Sequence, residues 1–268
     1  MKMDDPTKPE FASIASYSDF AFRVRYSQRY VWDKRVQAFL DTLLATSSDR
    51  KLPIPKGSLY YRAQHGTLVQ AVHDEHGFEI GEEETCYLPE RMIPLPYAAR
   101  QGRANPAGIP VLYLGNSEET AISEVRPWVG AGISVAQFQV EQDLSVIDLR
   151  PGHGQFSLGH LTFAKLEGDE EPTAEDKLKS VWIEVDNAFS TPVTSADDAA
   201  DYVPTQILAE LFRRAGYDGI VYRSQFGKEG YSLALFDLEK AKPVSGAPYQ
   251  VKGLEVNFGE VGNRWFLK

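Results

Sequence analysis

With 268 residues, 43% apolar and 25% charged, the chain has the make-up of a folded globular protein with room for a sizeable core. Its formal net charge of −10 at pH 7 argues against nucleic acid as main partner, because phosphate binding leans on clustered Lys and Arg; a small anion needs only a few local cations. Its single cysteine, Cys86, excludes an intramolecular disulfide and a thiolate metal cluster.

The opening MKMDDPTKPE lacks the basic-then-apolar order of a signal peptide. No apolar run approaches the length of a membrane span, so none is expected and the expected compartment is the cytoplasm. Residues 1–14 read as a loose polar leader. Val36, Phe39, Leu40, Leu43 and Leu44 recur at helical spacing, which predicts a helix over 33–44 with one buried stripe. Residues 1–50 as a whole read as a helical extension packed on the main domain. SLYYR at 58–62 predicts a strand. Residues 74–101 are acid-rich and punctuated by Pro89, Pro94 and Pro96, and read as a long loop over the site. A strand is expected at 109–114. Asn116 and Glu119 have capping-box spacing for a helix running to Arg126, where Pro127 stops it. Strands are then expected at 133–140 and 144–149, with a loop over 152–171.

Thr173 is the expected cap of a helix through Leu178, Val181, Trp182, Val185 and Phe189. A last helix through Ile207, Leu208, Leu211, Phe212 and Ala215 closes at Gly216. Strands are expected at 219–224 and 232–237, joined by a loop with Gly227 and Gly230. The tail from Lys242 reads as partly ordered, with apolar alternation at 254–258 and an aromatic pair, Trp265 and Phe266. Strands outnumber what βαβ alternation supplies, so the expected class is α+β. The expected division is an extension at 1–50, a main domain at 51–240 and a packed tail at 241–268.

Several residues invite a chemical reading. Arg62 in its strand is, taken alone, an edge arginine for a salt bridge, and Arg103 is a solvated turn cation. Two arginines at the ends of neighbouring strands give weight to a shared anion site that neither gives alone, since guanidinium donors fit phosphate oxygens. Tyr113 is either a half-buried strand aromatic or a ring that stacks on a flat ligand. Glu124, flanked by Ala121, Ile122 and Val125, falls at the rim of a pocket or in solvent. Ser224 reads as a strand-end turn serine and lacks the G-x-S-x-G elbow of a hydrolase nucleophile. The five histidines form no tight metal pattern, and no Rossmann or Walker motif is present.

Three stretches taken together resemble the RES-domain family, the toxin half of bacterial Xre–RES toxin–antitoxin systems. They are LYYRAQHG at 59–66, GRANPAGIPVLYLGNSEETAISEVR at 102–126 and YVPTQILAELFRRAGYDGIVYRSQFGKEGYSLALFD at 202–237. The resemblance implies an ADP-ribosyltransferase-like fold, with a split mixed sheet, flanking helices and a dinucleotide cleft. It implies consumption of NAD⁺ as substrate, by hydrolysis or phosphorolysis of the nicotinamide–ribose bond, with no cofactor and no metal. ADP-ribosyl transfer to a protein and a dead nucleotide-binding module are the alternatives. It assigns Arg103, Glu124, Ser224 and Tyr113 to catalysis, and Arg62, Tyr61, Asn105 and Ser232 to substrate. It implies an Xre-type antitoxin over the cleft, and self-association is a further expectation. Two positions depart from the family pattern: Ala104 stands where a tryptophan is common, and Ser232 where an asparagine is.

Overall fold

The computed structural model describes residues 9–191, 199–225, 230–255, 259 and 262. Two helices lead, α1 (Ser16–Tyr26) and α2 (Lys34–Ala45). Strands β1 (Lys51–Ile54), β2 (Leu59–His65), β3 (Leu68–His73) and β4 (Glu79–Thr85) come next, then a turn of helix, α3 (Pro89–Met92). They precede β5 (Leu112–Gly115), α4 (Glu118–Glu124), β6 (Gly132–Val140), β7 (Leu144–Leu149) and the short α5 (Phe163–Glu167). The remainder is α6 (Ala174–Ser190), α7 (Val203–Arg214), β8 (Gly219–Arg223), β9 (Tyr231–Leu235) and β10 (Ala241–Gln250).

Eight strands form one mixed sheet in the order β1-β7-β8-β9-β5-β2-β6-β10, and β3 and β4 form a separate two-stranded sheet. Within the large sheet β7 and β8 run parallel; the other pairings are antiparallel. The fold is α+β. The sheet has a seam: β2 pairs with β6 from Leu59 to His65, and β5 pairs with β9 from Leu112 to Gly115, but β2 meets β5 through the single pair Tyr61–Gly115. Two well-paired half-sheets are thus joined by one rung and splay beyond it.

Strand alternation sorts the core into layers. Ile147, Leu149, Ile220, Tyr222 and Ala234 pack under the helices with Val181, Val185, Phe189, Leu208 and Phe212. Their neighbours Val146, Val221, Leu233 and Leu235 face the other way, onto Met92, Leu112, Leu114 and Phe138. The predicted stripe of α2 is buried at Val36, Phe39, Leu40 and Leu43. Asp33 caps that helix by accepting from the amides of Arg35 and Val36. Phe39 stacks on Phe20 of α1 with ring centres 4.5 Å apart, so the two leading helices join the main core. Thr173 and Asp176 close a reciprocal capping box at the start of α6.

Four expectations need correction. Residues 74–101 are not one long loop: the hairpin β3–β4 and α3 occupy much of the stretch, and none of its residues lines the cleft that opens at the seam. The signal was masked because β4, EIGEEET, carries four glutamates where β-propensity is poor. The cap of α4 is Ser117, which accepts from the Thr120 amide; Asn116 instead accepts from the Thr120 hydroxyl and the Tyr231 amide. Helix α4 ends at Glu124, and Arg126 adopts φ 50°, consistent with the bar on right-handed helical geometry before proline. The 152–171 loop contains α5. The tail forms β10, an edge strand paired with β6. Gly227, residues 256–258, Trp265 and Phe266 lie outside the described residues.

Candidate active site

The seam creates the site. Pairing aligns Tyr222, Ser232, Gly115, Tyr61 and Gln137 in one row across five strands. Residues of one row share a face, so the glycine leaves a gap between Ser232 and Tyr61. A Cβ on Gly115 would also come within 2.8 Å of the Ala121 amide nitrogen, so glycine lets α4 approach β5. The resulting cleft holds about 460 Å³, within the range of small-molecule sites. Arg62, Arg103, Tyr113, Glu124, Tyr202 and Tyr222 are among the residues around it.

Arg103 sits in a tight turn in which Gly102 and Asn105 exchange backbone bonds. Asn105, buried, donates to the carbonyls of Arg100, Pro106 and Ile109. Its side-chain oxygen accepts from the Tyr113 hydroxyl, which itself accepts from the Ala104 amide. From α7, Gln206 donates to the carbonyls of Gly102 and Asn105. The turn is therefore pinned from β5 and from α7. Arg103 lies over the Tyr222 ring, 5.2 Å from its centre, and donates to the Phe189 carbonyl near the end of α6. A helix C-terminus is a favourable seat for a cation.

Arg62 reaches across the seam and donates to the Tyr113 carbonyl at 3.3 Å. Its Nε is enclosed without a hydrogen-bond partner. Burial pulls its pKa below the usual arginine value, which still leaves it charged at neutral pH. Among the described residues, neither Arg62 nor Arg103 has a carboxylate within ion-pair distance. Among the described residues, Arg62 and Arg103 thus stand in the cleft without an ion-pair carboxylate.

Glu124, at the end of α4, is half-buried. Its Oε1 accepts from Ser224 at 2.6 Å and from Ser232 at 3.2 Å; both serines are buried. Asn116 exchanges bonds with the Tyr231 backbone, which fixes Ser232 beside the carboxylate. Two hydroxyls donating to one carboxylate oxygen fix the orientation of the carboxylate. Burial raises the pKa of both Tyr113 and Tyr222 well above the ordinary phenol value, with Arg103 pulling against the shift at each. Both phenols stay neutral.

The structure gathers Arg62, Tyr61, Arg103, Tyr113, Glu124 and Ser232 around the cleft, with Ser224 behind Glu124. Asn105 is close by, but its amide is spent on the turn that carries Arg103. Sequence reasoning passed over Gln206, Tyr202 and Tyr222. Gln206 had a signal, a lone amide amid the apolar residues of α7. Tyr222 had none, since a tyrosine in VYRS reads as an ordinary strand residue. Among the described residues no group of three His, Cys, Asp or Glu could hold a metal ion, and no helix is long and apolar enough to cross a membrane.

A split mixed sheet, two arginines with no ion-pair carboxylate among the described residues and a serine-held carboxylate define a protein with a charged cleft at a sheet seam. The RES-domain model matches residues 83–256, and the chain belongs to the RES-domain family. The crystal structure of the M. tuberculosis MbcT–MbcA toxin–antitoxin complex is similar at a TM-score of 0.40 and 15% identity, over 78% of this chain and 92% of that one. The curated proteins contain no match.

Proposed function

We propose that the protein is a toxin that consumes NAD⁺ by cleaving the bond between nicotinamide and ribose, in the cytoplasm. One observation carries the reading: two arginines that have no ion-pair carboxylate among the described residues stand in the same cleft as a carboxylate held by two serine hydroxyls. The arginines suit a pyrophosphate. The carboxylate suits a positive charge that develops on the reacting carbon.

In the step envisaged, the C–N bond to nicotinamide breaks and its electron pair leaves with the ring, which departs neutral. The ribose carbon becomes oxocarbenium-like beside Glu124, as in glycoside cleavage. Water then forms the new C–O bond and loses a proton, giving ADP-ribose, nicotinamide and H⁺. Inorganic phosphate in place of water would give ADP-ribose 1″-phosphate. Ser224 and Ser232 hold the carboxylate; Arg103 and Arg62 hold the phosphates; Tyr113 and Tyr61 offer ring faces to the nicotinamide end. Asn105 acts by fixing the Arg103 turn. On the resemblance to Xre–RES pairs, an antitoxin protein covers the cleft.

The test is incubation of purified protein with NAD⁺, with and without phosphate, and identification of every product. Release of nicotinamide with stoichiometric ADP-ribose or its phosphate supports the reading. Nicotinamide release accompanied by labelling of a protein would move the assignment to ADP-ribosyl transfer. Intact NAD⁺ would refute both.

A further inference from the structure

Two exposed surfaces whose apolar residues do not line the cleft match each other. The first lies on α1 and the turn into α2. Phe22 and Tyr26 form a ring pair on the outer side of α1, and Tyr30 and Val31 stand 87% and 81% exposed next to Trp32. Isolated exposed apolar groups are ordinary, but Phe22, Tyr26, Tyr30, Val31 and Trp32 are five exposed ones within eleven residues, which marks an interaction site. Beside it Lys34 and Arg35 are exposed and, among the described residues, have no carboxylate within ion-pair distance, while the neighbouring Asp19 and Asp33 pair with Arg23. On a chain of net charge −10 this is an unusual place.

The second surface is the hairpin β3–β4. Register puts Val69 opposite Glu84 and Ala71 opposite Glu82, and Ile80 sits at the register shift between Val72 and His73. Val69, Ile80 and the turn residue Phe78 are exposed. Among the described residues, Glu82 and Glu84 have no cation within ion-pair distance. A lone two-stranded hairpin is marginal by itself, and β4 gains support from contact with β10. One surface sets exposed apolar side chains beside cations, and the other sets them beside carboxylates; apolar contact flanked by charged groups is the make-up of a protein interface.

The two cannot meet within one molecule. Helices α1 and α2 pack on α6 and α7, which cover β7 and β8, whereas the hairpin leans on β10. From β8 to β10 there are five strand spacings, roughly 24 Å. We infer that the β3–β4 hairpin of one molecule docks on the α1–α2 patch of a second copy of this chain. The contact joins unlike surfaces, so it either closes reciprocally in a dimer or repeats head to tail.

Sedimentation of the full chain over a wide concentration range tests this. The wild type is expected to associate, and more weakly as salt rises, because opposed charges steer and hold the contact. The paired reversals Glu82→Lys with Glu84→Lys, and Lys34→Glu with Arg35→Glu, are each expected to weaken association by about tenfold or more. Mixing the two reversed proteins restores it, since each then offers the charge the other needs. Tyr30→Ser, at an exposed turn, should weaken association without moving the melting midpoint, which separates loss of contact from loss of fold. A wild type monomeric throughout overturns the inference. So do reversed variants that associate like wild type, a mixture that stays monomeric, or an unreversed patch occupied only by an unrelated protein.

Discussion

Glu124→Gln is the decisive perturbation of the proposed chemistry. Glutamine keeps the length of the side chain, and its carbonyl oxygen can still accept from Ser224 and Ser232, which both donate to Oε1 in the native site. Only the charge is lost. A unit charge about 4 Å from a developing cation, at an effective dielectric near 20, is worth about 4 kcal/mol. At about 1.4 kcal/mol per decade that is roughly a thousandfold in rate, in line with the cost of removing one preorganised electrostatic group. The assay is nicotinamide release by the wild type and the variant, with NAD⁺ affinity measured separately by calorimetry. The expected result is a kcat lower by about two to three orders of magnitude with affinity changed little. Near-wild-type turnover in a folded variant would mean that no cation forms beside this carboxylate, and the reasoning would fail.

Three further outcomes rest on the same geometry. Arg62→Met removes an enclosed guanidinium whose Nε has no partner; stability to urea should hold or rise, while KM for NAD⁺ rises about 10- to 150-fold, the range for a hydrogen bond to a charged group. Tyr113→Phe orphans the buried Ala104 amide and the Asn105 side-chain oxygen, so urea unfolding should report a loss of about 2–4 kcal/mol; an unchanged midpoint would show that the hydroxyl does not hold the turn. Asp176 accepts from Lys165 and from Thr173, and its pKa is lowered from 3.8 to about 2, with burial opposing the shift. A depressed carboxyl adds stability above its unfolded pKa and loses it as pH falls towards the folded value. Wild type should therefore exceed Asp176→Asn in stability at pH 7, with the gap closing between about pH 4 and pH 2 in denaturant titrations.

Periodicity exposed what depends on local order. The stripe of α2, the Thr173 box and the strand Leu144–Leu149 all sit where spacing places them. The hairpin β3–β4 was hidden because its strands face solvent and carry charge, so no apolar alternation marks them. The seam was hidden for a different reason. Nothing in LYLG or LYYR says that the two strands meet through one pair, since strand order is set by contacts between residues far apart in the chain. The site divides in the same way. Arg62, Arg103 and Glu124 could be singled out as charges with suggestive neighbours. Gln206 and Asn105 act by holding the backbone of the Arg103 turn, which only a folded chain displays.

The strand order also fixes when in the life of the molecule the site comes into being. Its parts are drawn from Arg62 in β2 through Ser232 in β9, and β2 finds β6 rather than its own sequence neighbours. Until β9 has been made, β5 lacks the strand that carries Ser232, and Glu124 lacks one of the two hydroxyls that hold it. At about 5–20 residues per second, the interval from Arg62 to Ser232 takes roughly 10–30 s of synthesis. The growing chain therefore lacks the assembled cleft for most of its manufacture, and the cleft becomes complete only as the last strands arrive.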